Sequence, residues 1–181
     1  MGFFEELIKR VVSNFNAAET DYMITGALAA SYYGVPRTTM DIDIIVRVST
    51  QDIQTKILLP LKKAGFQVEE EKIRKVLKSS YKILTLKDPS TPFTLDIIFS
   101  SKKLEKRAGT ILGLPTFYQK PEDLILAKLR MIKATIPQER AMKDKVDVKA
   151  ILRYVGDINL EMLKEKARKE KTITILESLM K

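Results

Sequence analysis

The chain contains no cysteine and no histidine. Without cysteine it can form no disulfide, thiolate metal site or cysteine nucleophile. Without histidine it lacks the commonest general base and the imidazole ligands on which many zinc sites depend. Any metal must therefore be held by oxygen, which favours Mg²⁺ or Mn²⁺. Catalysis of any kind has to rest on carboxylates, lysines and arginines.

Long apolar runs are also missing. No run approaches the roughly 20 residues that a membrane span needs, and the N-terminus lacks the pattern of a signal peptide. We therefore expect a cytoplasmic protein that has no membrane partner. The 181 residues are 45% hydrophobic, which is enough for one compact core with a small helical appendage.

Positive charge is concentrated in the back half of the chain. Residues 1–99 carry 13 Lys/Arg against 12 Asp/Glu, whereas residues 100–181 carry 19 against 11. This asymmetry indicates that the back half meets a polyanion. The alternative is a solvated lysine-rich surface of the kind common in thermophilic proteins. The sequence leaves both interpretations open.

Hydrophobic periodicity and turn residues predict a mixed α/β (α+β) fold with a sheet flanked by helices and a C-terminal helical segment. The predicted helices cover residues 3–17, 27–33, 50–63, about 121–134 and about 141–155. The predicted strands cover residues 22–25, 41–48, 66–70, 81–86 and 93–99, with a further possible strand around 109–118. We place the core at 1–118 and the helical region at 119–181, packed with the core as one compact unit.

Three aspartates stand out in two predicted strands. Asp41 and Asp43 are two residues apart, so their side chains project from the same face, while Ile42 points into the core. Adjacent like charges destabilise a strand unless something neutralises them, and a divalent cation does so. Asp96 lies in an otherwise apolar strand, where an acid is costly unless it is paired or metal-bound. If the two strands are neighbours, these carboxylates can hold two Mg²⁺ ions about 3.5–4 Å apart.

A turn before the acidic strand is suited to phosphate. Gly26 ends a predicted strand and opens a short helix, so backbone N–H groups at Gly26 and Ala27 can receive phosphate. A glycine there also allows a ligand to approach closely. Arg37 and Thr38 come just before the acidic strand, where they either contact phosphate or clamp the loop.

The order of these features resembles the nucleotidyltransferase superfamily that includes DNA polymerase beta. The shared pattern is a Gly-Ser, Gly-Gly or Gly-Ala turn, a helix, an Asp-x-Asp strand and a third Asp on a later strand. Within the superfamily it looks most like the minimal prokaryotic group that contains the AbiEii-type toxins. The resemblance covers roughly residues 20–100 and implies a nucleotidyltransferase-type sheet.

The resemblance also implies an activity. It is Mg²⁺-dependent transfer of a nucleoside monophosphate from an NTP to an acceptor hydroxyl, with release of pyrophosphate. Asp41, Asp43 and Asp96 would bind the metal ions. The acceptor would be tRNA or another RNA docked on the basic back half, a protein or a small molecule, and an antitoxin is the implied protein partner.

Relatives of the AbiEii type also have a lysine on a helix after the core and an aspartate on the next helix. Lys128 matches the first, and Asp147 matches the second, with Asp144 as a rival. The simpler alternatives are that Lys128 is an ordinary exposed helix lysine and that Asp147 pairs with a nearby lysine, either Lys143 or Lys145.

One residue departs from the pattern of active transferases. Ala27 stands where these enzymes usually have a serine whose hydroxyl contacts the triphosphate. Backbone amides of the turn can still bind phosphate without that hydroxyl. The departure keeps open a second hypothesis, in which the chain is a non-catalytic module of the same fold that binds nucleic acid or a partner protein.

Overall fold

The structure is a computed structural model that describes residues 2–35 and 37–181. The chain divides into two compact units, and each of them contains two segments of sequence. The first unit runs to Leu28 and then covers Thr38–Gln119, and the second contains Ala29–Arg37 and Lys120–Lys181.

The first unit contains the sheet. Its elements, in chain order, are α1 (Phe3–Ala17), β1 (Asp21–Ile24), the first turn of α2 (Gly26–Tyr32), β2 (Asp41–Arg47), a π-helical stretch (Gln54–Leu58), α3 (Leu59–Lys63), α4 (Glu70–Lys78), β3 (Ile83–Lys87), β4 (Thr94–Ser100), β5 (Lys106–Ile111) and β6 (Leu114–Gln119). The predicted helix 3–17 is found as predicted, with Leu7, Val11 and Phe15 among its buried residues.

The second unit is helical. Besides the rest of α2, it contains α5 (Pro121–Ala134), a 3₁₀ turn (Gln138–Ala141), α6 (Met142–Tyr154), α7 (Leu160–Lys169) and α8 (Ile173–Leu179). The predicted class, a mixed α/β fold with C-terminal helices, is confirmed. Among the described residues, no helix combines the length and apolar character required to cross a bilayer.

The strands of the described residues form one six-stranded mixed sheet in the order β3-β4-β2-β1-β6-β5. The pairs β2–β4 and β1–β6 are parallel, and the other neighbouring pairs are antiparallel. Burial alternates along β2 and β4, because every second residue faces the core. The buried side chains of these strands are Ile42, Ile44, Val46, Leu95, Ile97 and Phe99.

Pro60 accounts for the irregular helix after β2. Proline has no N–H, so Pro60 cannot donate an α-helical hydrogen bond to the carbonyl of Lys56. The hydroxyl of Thr20 donates a hydrogen bond to the carbonyl of Lys56 instead, with 2.6 Å between the oxygens. The predicted single helix 50–63 is therefore a π-helical stretch followed by a short α-helix.

Two sequence predictions in this unit are wrong. Residues 66–70 are not a strand: Phe66 and Val68 are buried and alternate with exposed neighbours, but the segment lies outside the sheet and leads into α4. The possible strand at 109–118 is instead a hairpin of β5 and β6. Its two-residue turn, Leu112-Gly113, has positive φ at both positions, and a leucine there disguises the turn.

A partly buried ion pair links α1 to two loops of the first unit. The Arg10 guanidinium donates to the carboxylate of Asp88 at 2.8 Å and to the carbonyl of Ala64 at 2.6 Å. The hydroxyl of Thr91 donates to the other oxygen of Asp88 at 2.7 Å. Burial raises the pKa of Asp88, but the hydrogen bonds from Arg10 and Thr91 and the charge of Arg10 outweigh it, so the pKa lies below its ordinary value.

We expect Asp88→Asn to lower the free energy of unfolding by about 2 kcal/mol at pH 7. Because the pKa of Asp88 is lower in the folded state, its contribution is complete above the unfolded pKa of about 3.9 and is lost as pH falls through the folded value. The stability gap between wild type and variant should therefore narrow below about pH 4. Urea unfolding at several pH values measures the gap. Glu177→Gln, at an exposed carboxylate, is the control, and a gap that does not change with pH would contradict the assignment.

Candidate active site

The three predicted aspartates lie on one face of the sheet. In the parallel pairing of β2 with β4, Asp43 is the register partner of Asp96, and Asp41 is the partner of Thr94. Register partners share a face, and residues two apart on a strand share it as well. Asp41, Asp43 and Asp96 therefore occupy neighbouring positions on the face opposite the buried isoleucines of the two strands.

Neighbouring hydroxyls hold two of the carboxylates. Thr94 donates from its hydroxyl to the carboxylate of Asp41 at 3.0 Å. Thr85 donates to the carboxylate of Asp96 at 2.5 Å, and it is the register partner of Asp96 on β3. The carboxylate of Asp96 is thus bonded to the strand on the side away from Asp43.

The third carboxylate, that of Asp43, packs against the glycine turn. Gly26 has φ of +63°, and a Cβ on Gly26 would lie 2.1 Å from an oxygen of the Asp43 carboxylate. The backbone N–H of Thr25 donates to the carbonyl of Asp43 at 3.0 Å. Only glycine fits this position, for two separate reasons: the left-handed backbone and the contact with the carboxylate.

These contacts explain why the described side chains do not already form a metal cluster. In residues 2–35 and 37–181, no three acidic side chains are gathered as ligands of one ion. Asp41 and Asp96 are bonded to threonine hydroxyls, and Asp43 lies against Gly26. The chemistry of the donor set nevertheless fits a hard cation, because it offers only carboxylate and hydroxyl oxygens on one face.

We expect Gly26→Ala to lower the free energy of unfolding by about 3 kcal/mol, of which about 1 comes from the left-handed backbone and about 2 from overpacking. Gly113→Ala is the matched control, because Gly113 also has positive φ but no atom within 4 Å of an added Cβ. That variant should lose only about 1 kcal/mol. In an Asp43→Ala background the cost of Gly26→Ala should fall toward the control value. Equal losses for the two glycine variants would refute the contact.

The other residues predicted to contact phosphate, Ala27 and Thr38, differ in exposure. Ala27 is only 6% exposed, so the residue in the usual serine position is a core residue. Thr38 is exposed at the start of the segment that leads into β2. The phosphate-binding roles of Gly26, Ala27 and Thr38 stay predictions.

A buried charge cluster lies in the second unit. The ammonium group of Lys128 contacts the carboxylate of Asp147 at 2.6 Å and that of Asp144 at 3.1 Å. The guanidinium of Arg37 forms a close ion pair with the same Asp147. Lys128 is 6% exposed and Asp147 is 2% exposed, so these two charges neutralise each other with little help from water, while Arg37 and Asp144 are partly exposed.

This cluster corrects two simpler interpretations. Lys128 is not an exposed helix lysine, and Asp147 pairs with Lys128 and Arg37 rather than with its sequence neighbours Lys143 and Lys145. The rivals Asp144 and Asp147 both contact Lys128. For Arg37, the contact with Asp147 is the one expected of a loop clamp. Catalytic roles for Lys128 and Asp147 stay predictions.

We expect Lys128→Ala to lower the free energy of unfolding by about 3–5 kcal/mol, because the buried Asp147 then keeps only its ion pair with Arg37 among the described residues. Lys169→Ala removes an ion pair with Glu165 that is exposed on both sides, and it should leave the free energy of unfolding nearly unchanged. Denaturant unfolding of both variants gives the comparison. Similar losses would mean that the cluster adds nothing beyond a surface pair.

Sequence reasoning missed the two hydroxyls of the candidate site. Thr94 precedes Asp96 by two residues and therefore shares its face, which the alternating pattern of β4 could have revealed. Thr85 becomes visible only when the register of β3 with β4 is known.

The fold matches solved structures of nucleotidyltransferases. The solution structure of the antibiotic-resistance factor ANT(2'')-Ia has a TM-score of 0.66 at 16% identity and covers 92% of each chain. The crystal structure of ANT(2'')-Ia in complex with adenylyl-2''-tobramycin has a TM-score of 0.69 at 16% identity, over 94% of this chain and 99% of that one. An antigenic nucleotidyltransferase-like protein from Paracoccidioides brasiliensis has a TM-score of 0.59 at 15% identity, over 97% and 93%.

No protein-family model and no curated protein sequence matches the chain. At identities of 15–16% the structural likeness establishes the fold and nothing finer. The chain therefore has a nucleotidyltransferase-type fold, as the resemblance implied. The narrower resemblance to AbiEii-type toxins stays a prediction.

Proposed function

We propose that the chain is a nucleotidyltransferase that transfers a nucleoside monophosphate from an NTP to an acceptor hydroxyl. The observation that carries the proposal is the register of β2 with β4, which sets Asp43 beside Asp96 on the face that also holds Asp41. Adjacent carboxylates on one sheet face destabilise the strands that carry them, but they are well placed to bind the metal ions of phosphoryl transfer. In the reaction the acceptor oxygen bonds to the α-phosphorus as the bond to pyrophosphate breaks.

The proposal gives each residue of the site a role. Asp41, Asp43 and Asp96 hold Mg²⁺ or Mn²⁺, which when bound supplies positive charge against the transferred phosphate. Asp96 accepts or relays the proton of the acceptor hydroxyl, because it is the carboxylate on the neighbouring strand β4, apart from the Asp41 and Asp43 pair on β2. The backbone amides of Gly26 and Ala27 face the triphosphate.

Arg37, Lys128 and Asp147 enter the proposal as positioning residues. Asp147 holds both cations, and Arg37 precedes Asp41 by only four residues along the chain. An anchored Arg37 restricts the segment that delivers the first carboxylate. Direct contact of Arg37 or Lys128 with the triphosphate would require these ion pairs to open.

We propose that the acceptor is an RNA such as tRNA. We also propose that the chain is a toxin-like nucleotidyltransferase whose protein partner is an antitoxin. The support is the positive net charge of residues 100–181, which contain 19 Lys/Arg and 11 Asp/Glu. ANT(2'')-Ia, in complex with adenylyl-2''-tobramycin, shows that this fold also accommodates a small-molecule acceptor.

A second candidate is a non-catalytic module of the same fold. It is favoured by two observations: Ala27 is buried in place of the usual serine, and hydroxyls of Thr85 and Thr94 hold two of the carboxylates. Nucleotide binding measured with and without Mg²⁺ separates the candidates, because the transferase should bind NTP more tightly with the ion. Incubation with total RNA and each labelled NTP then identifies the base and the acceptor.

We expect Asp43→Asn to abolish transfer of label while the fold stays intact, because the amide removes a negative ligand of the cation. Product formation is followed with labelled NTP and Mg²⁺, and thermal unfolding checks the fold. Asp52→Asn is the control, since Asp52 is exposed beyond the opposite end of β2 and should leave the rate unchanged. Comparable turnover of Asp43→Asn and wild type would refute the mechanism.

A further inference from the structure

Helix α6 exposes an apolar stripe. Met142, Val146, Ala150 and Tyr154 follow one another at intervals of four residues, so their side chains lie along one side of the helix. Met142 is 59% exposed, Val146 52% and Tyr154 62%, whereas the opposite side of the helix is buried. Three large apolar side chains this exposed on a single helix form a continuous patch rather than isolated surface residues.

The stripe is flanked by cations. Lys143, Lys145, Lys149 and Arg153 lie around the same half of α6, and none of them forms an ion pair with any described residue. The acidic residues of the helix are Asp144 and Asp147, and both bind Lys128 on the buried side. The exposed half of α6 therefore has four positive charges and no negative one.

The cations of α6 differ in this respect from three cations on the neighbouring helices. On α5 and α7 the described structure pairs Arg130 with Glu170, Lys166 with Asp123 and Lys169 with Glu165. Those cations are already satisfied within the unit. The four cations of α6 form no ion pair with a described residue. The exposed half of α6 therefore has both the positive charge and the apolar area for a further contact.

Tyr154 gives the face a fixed anchor. An added Cβ on Gly34 would lie 3.4 Å from the Cβ of Tyr154 and 3.6 Å from its ring, so the residue rests directly on the glycine backbone. The Arg153 guanidinium lies 5.9 Å from the centre of the same ring. Tyrosine and arginine are the residue types that most often dominate the binding energy of protein interfaces.

We propose that the exposed half of α6 docks an acidic protein partner through an amphipathic helix, with apolar residues on the stripe and carboxylates on the flanking cations. Charge complementarity selects an acidic occupant and argues against a second copy of α6, since four cations would then face four cations. The apolar centre favours protein over RNA, because phosphates gain nothing from methionine and valine, whereas interface cores are enriched in methionine, tyrosine and arginine. This docking is independent of nucleotidyl transfer.

The test uses the whole protein and synthetic probes. The probe is a fluorescein-labelled helical peptide of 18 residues, with leucine along one side, glutamate on both flanks and alanine elsewhere. A matched peptide has glutamine in place of glutamate, and oligo(U) of 18 nucleotides represents RNA. We expect the acidic peptide to bind and the glutamine peptide to bind at least about tenfold more weakly, which corresponds to about 1.4 kcal/mol.

A pair of double variants locates the binding. Val146→Ser with Lys149→Gln should weaken the acidic peptide at least about tenfold. Leu160→Ser with Arg168→Gln changes an exposed apolar residue and an exposed cation on α7 and should change affinity less than about twofold. All four positions are exposed, so both variants should unfold at the wild-type temperature, which a melt confirms.

Three results would overturn the proposal. They are no binding of the acidic peptide, equal binding of the glutamine peptide, and equal effects of the two double variants. If oligo(U) binds α6 and the α6 double variant weakens oligo(U) binding more than peptide binding, the face is an RNA site and the protein-partner proposal is wrong.

Discussion

The candidate site depends on one constraint, which is the parallel pairing of β2 with β4. The pairing sets Asp43 opposite Asp96 on strands about 4.8 Å apart, where like charges repel. The hydroxyl of Thr85 donates to the carboxylate of Asp96, and Gly26 leaves the room that the carboxylate of Asp43 occupies. The glycine of the turn and the threonine of β3 thus each contact one of these two carboxylates.

Local periodicity explains what the sequence could predict. Alternation at Asp41, Ile42 and Asp43 is enough to place both acids on one face, and helical spacing is enough to define α1. Partners remote in sequence are different, because tertiary packing chooses them. Asp147 has lysines nearby on its own helix, yet it binds Lys128 on α5 and Arg37, which is 110 residues away. Residues 66–70 mislead for a related reason, since burial alternates there without strand pairing.

The positive charge of the back half is of two kinds. On α5 and α7, Arg130 and Lys166 form ion pairs within the unit, which is the behaviour of a solvated charged surface. On α6, Lys143, Lys145, Lys149 and Arg153 form no ion pair with a described residue, because Asp144 and Asp147 bind Lys128 instead. Net charge alone cannot separate these cases, because it counts a paired and an unpaired lysine equally.

The second unit is assembled from two distant pieces of sequence, since Ala29–Arg37 joins Lys120–Lys181. During translation the early piece leaves the ribosome long before its helices exist. At about 5–20 residues per second, the delay between Arg37 and Asp147 is roughly 5–20 seconds. Ala30, Tyr33 and Val35, which are buried in the finished protein, have no helical partners during that interval. The sheet can therefore form before residues 29–37, which precede β2, make their contacts with the later helices.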